Sequence, residues 1–135
     1  MKTNVKIMLI SLIALFVSTI NAQNSTKEKI DNFKKNCKAA LTHNNSGVVE
    51  SAIYVSIQFK NLFPEENDKE FVNVLNELAN NSDNARISYK AQLAKLYFNN
   101  RDWFKEIVIK SINSEDEVYE EIAEKVNSIM FASRL

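Results

Sequence analysis

Four residue types that build binding loops, tight turns or metal sites are nearly missing from the sequence. Its 135 residues include one glycine, one proline, one cysteine and one histidine. A single glycine cannot supply a glycine-rich phosphate loop, and one cysteine with one histidine cannot supply a zinc cluster. One cysteine also excludes a disulfide within the chain. The composition therefore predicts no cofactor and no metal centre.

The scarcity of glycine and proline also bears on the fold class, because strand-rich proteins use both residues at their turns. The charges balance, since 17 Lys and Arg residues against 17 Asp and Glu residues give a formal net charge of zero. A domain that binds nucleic acid generally carries a clear basic excess. We therefore expect an all-α protein whose partner is another protein rather than a nucleic acid.

The segment 1–22 differs in composition from the rest of the chain. Two lysines precede a mostly apolar stretch, Ile7–Ile20, and the small residue Ala22 follows it. This layout is typical of a secretory signal peptide, and the apolar stretch is shorter than the ~20 residues of a membrane span. We expect cleavage after Ala22, one mature domain over 23–135 without a membrane segment, and a periplasmic or secreted location. A retained N-terminal anchor is the alternative.

Along the predicted domain, apolar residues recur at spacings of three and four, which is typical of helix faces. Polar residues, glycine or proline bound each periodic segment. The second and fourth segments are apolar on almost all sides, as expected of helices with several neighbours. A strand over Ile53–Phe59 is the alternative for part of the second segment, but no turn interrupts it. The pattern predicts six helices, at about 26–42, 48–63, 68–79, 85–98, 102–112 and 115–132.

Segments two and three together look like a first copy of the unit that segments four and five repeat. In each unit a richly apolar helix precedes a helix with one apolar face, which is what stacked hairpins require. Aligning the second segment with the fourth pairs Val49 with Ile87, Val55 with Leu93, Ser56 with Ala94, and Phe59 with Tyr97. Aligning the third with the fifth, after a shorter linker, pairs Phe71 with Phe104, Leu75 with Val108, and Ala79 with Ile112.

In its length and its order of helices, this helix pair resembles the repeat of the HEAT/armadillo class. The stretch Leu93–Trp103 is also similar to the inter-helix turn of a tetratricopeptide unit, where an Ala- and Tyr-containing helix precedes a short polar turn and an aromatic. The glycine usual at that turn is absent here. The resemblance implies a short stack of antiparallel helix hairpins, HEAT-like in the first place and tetratricopeptide-like in the second. A plain helical bundle remains the alternative.

Few residues are candidates for chemistry. His43 follows the first helix in a polar loop and has no nucleophile placed against it, so we expect no catalytic role. Cys37 lies on the apolar face of the first helix, which predicts a buried thiol; pairing between chains is the alternative. The acidic runs 65–68 and 115–121 lie at predicted helix starts, where negative charge is favoured, and neither matches a calcium loop. We therefore expect a protein that is not an enzyme.

Aromatic residues gather around the junction of the fourth and fifth predicted helices, and basic residues lie near them. They form either the joint between those helices or, where exposed, a surface for a partner. The residues that we single out for a partner surface are Trp103, Tyr97, Arg101 and Lys105.

The sequence thus favours an exported, non-catalytic protein-interaction or scaffold module of unknown partner. A small periplasmic immunity or inhibitor protein is the first alternative, and a helical protein that binds a lipid or small ligand between the second and fourth helices is another. A hydrolase acting through carboxylates is the enzymatic hypothesis. A broad groove, a compact patch, and a pocket with titratable groups of shifted pKa would distinguish the module, the inhibitor and the hydrolase.

Overall fold

The computed structural model describes residues 26–107, 109 and 114–133. The predicted signal peptide at 1–22 and the predicted start of the domain at 23 lie outside the described residues. The chain divides into two compact units, Met1–Asn36 and Cys37–Leu135. The first unit contributes the helical residues 26–36, and the second contains all the packing described below.

Every regular element in the described ranges is helical, and none of those residues forms a strand. This confirms the all-α prediction, including a helix rather than a strand at Ile53–Phe59. Five of the six predicted helices are present, with ends that differ from prediction by one or two residues. The helices are α1 (26–41), α2 (Ser46–Leu62), α3 (Lys69–Asn81), α4 (Ala85–Asn99) and α5 (Glu115–Ala132), with a 3₁₀ turn at Arg101–Phe104.

The prediction of a helix over 102–112 is wrong for the described part of that segment. A 3₁₀ turn at Arg101–Phe104 stands there, and residues 105–107 and 109 are not helical; the other residues of the segment lie outside the description. Ile109, which a helical stripe through Phe104 and Ile107 does not include, is buried. β-Branched residues such as Ile107 and Ile109 favour extended backbone over helix. The burial of Ile109 therefore does not reflect a position on a helical stripe.

Side chains cap the N-termini of α2, α4 and α5 and fix where these helices begin. Asn45 accepts from the backbone N–H groups of Gly47 and Val48, and Asn84 caps α4 in the same way. Ser114 and Glu117 form a reciprocal capping box at the start of α5.

Helices α2, α4 and α5 run in the same direction. Near their starts, Glu50 of α2 and Glu115 of α5 both contact Lys90 of α4. Near their ends, Asn61 of α2 accepts from the hydroxyl of Tyr97 of α4 at 3.3 Å. Contacts at both ends can be satisfied together only if α2 and α4 are parallel. Helix α5 follows the same course, because Lys125, further along α5, contacts Glu106 just after the end of α4.

Helix α3 returns the chain between α2 and α4 and forms an antiparallel hairpin with α4. At one end of this hairpin, Ser88 donates to the carbonyl of Ala79 at 2.7 Å. At the other end, the rings of Phe71 and Phe98 meet edge to face with centroids 6.4 Å apart. Burial on nearly all sides of α4 explains why its sequence is apolar all round. The fully buried side chains at the centre include Leu41, Ile53, Ile57, Leu75, Ala91, Ala94, Tyr97, Phe104 and Ile122.

Candidate functional site

The end of the fold where α2 and α4 finish is packed with aromatic rings. Phe59 lies 5.1 Å from Phe63 and 5.8 Å from Phe71, measured between ring centroids, and Phe71 continues the contact to Phe98. A second group follows α4, with Phe104 5.3 Å from Tyr97 and 6.3 Å from Trp103. We call these seven residues the aromatic end: Phe59, Phe63, Phe71, Tyr97, Phe98, Trp103 and Phe104. Edge-to-face and tilted ring pairs of this kind add stability beyond the area that they bury.

The four predicted surface residues differ in how far they are buried. Tyr97 is fully buried, so its inclusion in a partner surface is wrong. Its ring and hydroxyl pack against Asn61, Phe104 and the guanidinium of Arg101, which lies 4.7 Å from the ring centroid. Tyr97 lies on the face of α4 that packs against α2, and that contact removes it from solvent.

The other three predicted residues reach the surface to different degrees. Arg101 and Trp103 are partly buried, and Lys105 is exposed. Lys105 forms an exposed ion pair of 2.7 Å with Asp102, and this hydrogen bond lowers the pKa of the Asp102 carboxyl. The 3₁₀ turn therefore presents a partly exposed indole beside the buried ring of Phe104, while Arg101 lies against Tyr97 and Lys105 pairs with Asp102.

Exposed apolar side chains lie at this same end. Leu62 at the end of α2 is 70% exposed and Phe63 is 37% exposed. Since α5 runs parallel to α4 and Lys125 contacts Glu106 just after the 3₁₀ turn, the last turns of α5 also lie here. They carry Met130, which is 51% exposed, and Phe131, which is 66% exposed. We give the name exposed apolar rim to the apolar residues that reach the surface on the elements ending here: Leu62, Phe63, Trp103, Met130 and Phe131.

At the opposite end, a buried ammonium group joins three helices. Lys90 of α4 donates to Glu50 of α2 at 3.0 Å and to Glu115 of α5 at 2.5 Å. Its nitrogen lies 5.0 Å from the centroid of the Tyr119 ring, a cation–π contact. Arg86 donates to the same carboxylate of Glu50 at 2.8 Å. We call Glu50, Arg86, Lys90, Glu115 and Tyr119 the Lys90 cluster.

The cluster keeps Lys90 charged. Burial by itself lowers the pKa of a lysine, but the hydrogen bonds to Glu115 and Glu50 and their negative charges outweigh it, so the pKa of Lys90 is raised. Burial and the neighbouring carboxylates also raise the pKa of the Tyr119 phenol. A nucleophilic lysine needs the neutral amine, which this arrangement disfavours. The geometry therefore suits a structural tie between helices.

Sequence reasoning missed the Lys90 cluster, although one signal pointed to it. Lys90 follows Ile87 by three residues and precedes Ala94 by four, which places it on the buried face of α4. A lysine in that position requires partners of opposite charge. Glu115 is a favourable negative charge at the N-terminus of α5, as the sequence predicts, and it is also a partner of Lys90.

A second buried lysine, Lys60, secures the turn between α2 and α3. Its ammonium lies 2.6 Å from the carboxylate of Asp68 and 2.7 Å from the carbonyl oxygen of Pro64. Asp68 precedes α3 but makes no capping hydrogen bond with its side chain; Asn67 accepts from the backbone of Lys69 instead. Lys60 therefore ties the end of α2 to the turn that leads into α3.

The two residues considered for nucleophilic chemistry differ in their exposure to solvent. Cys37 is buried, which confirms the sequence interpretation, and burial raises the pKa of its thiol to about 11. Its sulfur contacts the carbonyl oxygen of Ala52 at 3.7 Å. His43 is exposed in the loop before α2, where Nδ1 accepts from the backbone of Asn45 at 3.0 Å. Neither group faces the other.

Two kinds of feature, a metal-binding group and a membrane span, are absent from the described residues. Within 26–107, 109 and 114–133, no group of three or more His, Cys, Asp or Glu side chains is arranged to hold a metal ion. No helix in the same ranges is both long enough and apolar enough to cross a membrane.

Comparison with known proteins gives no relative: the chain matches no protein-family model, no curated protein and no solved structure.

Proposed function

We propose that the protein is an exported, non-catalytic interaction module that holds another polypeptide at the aromatic end. The observation that carries this proposal is the partly exposed indole of Trp103, which lies 6.3 Å from the buried ring of Phe104, measured between centroids. Arg101 and Lys105 belong to the same short stretch of chain. Anchors of binding energy in protein interfaces are typically Trp, Tyr and Arg, and rigid support reduces the entropy lost on binding.

The proposed architecture is a short stack of helix hairpins of the HEAT-like or tetratricopeptide-like kind. The parallel course of α2, α4 and α5, with α3 returning between the first two, supports this proposal. Equivalent positions in the first helix of each unit are also buried alike, as in the pairs Val49 with Ile87 and Ser56 with Ala94. The second unit has a 3₁₀ turn where the first has α3. Such stacks bind partners along extended surfaces formed by successive units.

A non-catalytic role is supported by the chemistry of the Lys90 cluster. Lys90 is held as an ammonium by two carboxylates, and the raised pKa of Tyr119 keeps its phenol protonated. These groups tie α2, α4 and α5 together, which gives the aromatic end a fixed frame. An interaction module requires a rigid interior of this kind, because it holds the binding residues in place.

Affinity capture from the periplasmic extract of the source organism tests this proposal, with the purified protein as bait. We expect a stoichiometric protein partner that is lost with Trp103→Ala and weakened by Lys105→Glu. Tyr89→Ala is the matched control, because Tyr89 is an exposed aromatic (56%) on the N-terminal half of α4, away from the rim. A partner lost equally in the control would overturn the proposal. Loss with Glu120→Lys and Glu124→Lys alone would favour the inhibitor alternative, with the acidic face of α5 as its patch.

A further inference from the structure

We infer that the guanidinium group of Arg101 binds an acidic side chain, Asp or Glu, of the partner polypeptide. This inference rests on the proposed function, because it names the chemistry that the partner presents next to Trp103. The observation that carries it is a guanidinium that is partly buried and held in place, but that contacts no carboxylate in the ranges that the structure describes.

Tyr97 holds the guanidinium of Arg101 in position. The Cζ atom of Arg101 lies 4.7 Å from the centroid of the Tyr97 ring, and its Nη1 donates to the Tyr97 hydroxyl. That hydroxyl donates in turn to the side-chain oxygen of Asn61 on α2, at 3.3 Å. Because Tyr97 is fully buried, close packing restricts the movement of its ring. Arg101 is therefore positioned before a partner binds, which reduces the conformational entropy lost on binding.

Arg101 differs from the neighbouring cation in lacking an acidic partner. Lys105, on the same stretch of chain, pairs with Asp102 at 2.7 Å. The described contacts of Arg101 are a ring contact and a hydrogen bond, both with Tyr97. Burial raises the pKa of the Tyr97 phenol, so the phenol stays protonated at neutral pH and brings no negative charge. Taking a cation out of water is unfavourable unless an anion compensates it, and a partner can supply that anion.

One guanidinium group matches a carboxylate better than a phosphate group. The N–H donors of arginine form a planar fork, and a single carboxylate accepts two of them in parallel. Tyr97 engages Nη1, and the Nε and Nη2 edge of Arg101 makes no hydrogen bond to a described residue. A phosphate group carries close to two negative charges, whereas Lys105 is already paired with Asp102. The charge available at this position therefore corresponds to one Asp or Glu.

The rings beneath Arg101 also support Trp103. Arg101 lies against the ring of Tyr97, and Trp103 lies 6.3 Å from the ring of Phe104, between centroids. Those two buried rings are themselves 5.3 Å apart. One packed pair of rings thus supports both the guanidinium and the partly exposed indole. A partner segment with an acidic side chain close to an apolar one has a counterpart for each.

Peptides selected from a random library displayed on phage test the inference, with the purified protein as the target. Peptides that bind the unaltered protein and not Trp103→Ala should share an Asp or Glu close to an apolar residue. Isothermal titration calorimetry then measures the affinity of the best peptide. Arg101→Gln should weaken binding about tenfold or more, and so should replacing the acidic residue of the peptide with its amide. The two changes together should weaken binding little more than either alone, because both remove the same ion pair.

Lys95→Gln is the matched control, because it neutralises a cation of α4 whose described contact is a long one of 3.5 Å with Asn76. It should change the affinity by about twofold at most. Circular dichroism shows that each variant is folded before its affinity is compared. Peptides that depend on Trp103 but share no acidic residue, or two changes whose effects multiply, overturn the inference and leave the proposed function standing. If no peptide distinguished the unaltered protein from Trp103→Ala, the proposed function would fail and the inference with it.

Discussion

The ammonium of Lys90 lies 3.0 Å from the carboxylate of Glu50, which is 40 residues earlier in the chain. The same ammonium binds Glu115, so one buried cation joins the starts of three parallel helices. Removing one partner of a buried ion pair is far more costly than replacing the whole pair, because the remaining charge is left without compensation. The Lys90 cluster therefore governs how firmly α5 is held to α4.

Lys90→Met should lower the free energy of unfolding by about 3 kcal/mol, because it leaves Glu50 and Glu115 without their shared cation. Urea unfolding followed by circular dichroism measures the change. The matched control is Lys95→Met, further along α4, where the ammonium makes only a long, exposed contact of 3.5 Å with Asn76. We expect the control to change stability by no more than about 0.5 kcal/mol.

Neutralising one carboxylate tests whether an unpaired charge causes the loss of stability. Glu115→Gln, added to Lys90→Met, should recover part of the lost stability, since Glu115 pairs with Lys90, whereas Glu50 keeps its contact with Arg86. If the double variant were less stable than Lys90→Met alone, packing of the lysine stem rather than charge pairing would explain the loss.

Alkaline pH should destabilise the protein in two stages. The buried groups Cys37, Lys90, Tyr97 and Tyr119 each have a folded pKa raised above the ordinary value. A raised folded pKa contributes stability that is fully present below the unfolded pKa and is lost as pH rises through the folded pKa. Loss should begin near pH 9 with Cys37, whose thiol moves from 9.0 to about 11, and should steepen when the lysine and the two tyrosines begin to titrate in the unfolded chain.

Urea unfolding at a series of pH values up to about 11 measures this profile. Cys37→Ala should remove the first stage and leave the second. Lys90→Met should weaken the second stage and leave the first. An unfolding free energy that rises with pH above 9 in the unaltered protein would contradict the raised pKa values of these buried groups.

The thiol of Cys37 should react slowly in the folded protein. With a pKa of about 11, the thiolate fraction near neutral pH is about a hundredfold smaller than for a thiol at 9.0, and burial limits access further. Labelling by a thiol reagent in native buffer, compared with labelling in concentrated urea, checks this expectation. Equal rates in the two solutions would show that Cys37 is exposed and accessible to a disulfide between chains.

The two aromatic residues at the 3₁₀ turn should differ in their effect on stability. Phe104 is fully buried between Tyr97 and Trp103, so Phe104→Ala should cost about 3–4 kcal/mol. Trp103 is partly exposed, and Trp103→Ala should cost clearly less. Thermal unfolding of both variants gives the comparison; a larger loss for Trp103→Ala would mean that the indole belongs to the core and not to a surface.

Much of the helical pattern could be predicted because helix ends and faces are local properties. The apolar spacing and the polar residues that bound the segment place α4 correctly to within one residue. The segment after Trp103 could not be predicted this way, because its apolar residues fit a helical stripe while their burial depends on tertiary neighbours such as Asn61, which donates to the carbonyl of Ile109.

The candidate surface was predictable only in part. Aromatic and basic residues near the end of α4 do gather around the 3₁₀ turn, as the sequence suggested. The sequence could not show that Tyr97 is buried while Trp103 is partly exposed, since the burial of Tyr97 depends on the position of α2. The contributions of Leu62 and Phe131 also depend on the parallel course of α2, α4 and α5, which no local pattern specifies.

The most direct measurement places a photo-crosslinking amino acid at position 103 in the cells that make the protein, with position 89 as the control. Both positions lie on or just after α4, but only position 103 belongs to the exposed apolar rim. We expect a discrete crosslinked polypeptide from position 103, whether a second copy or another protein, and none from position 89. No crosslink from position 103, or the same products from both positions, would contradict a partner surface at the aromatic end.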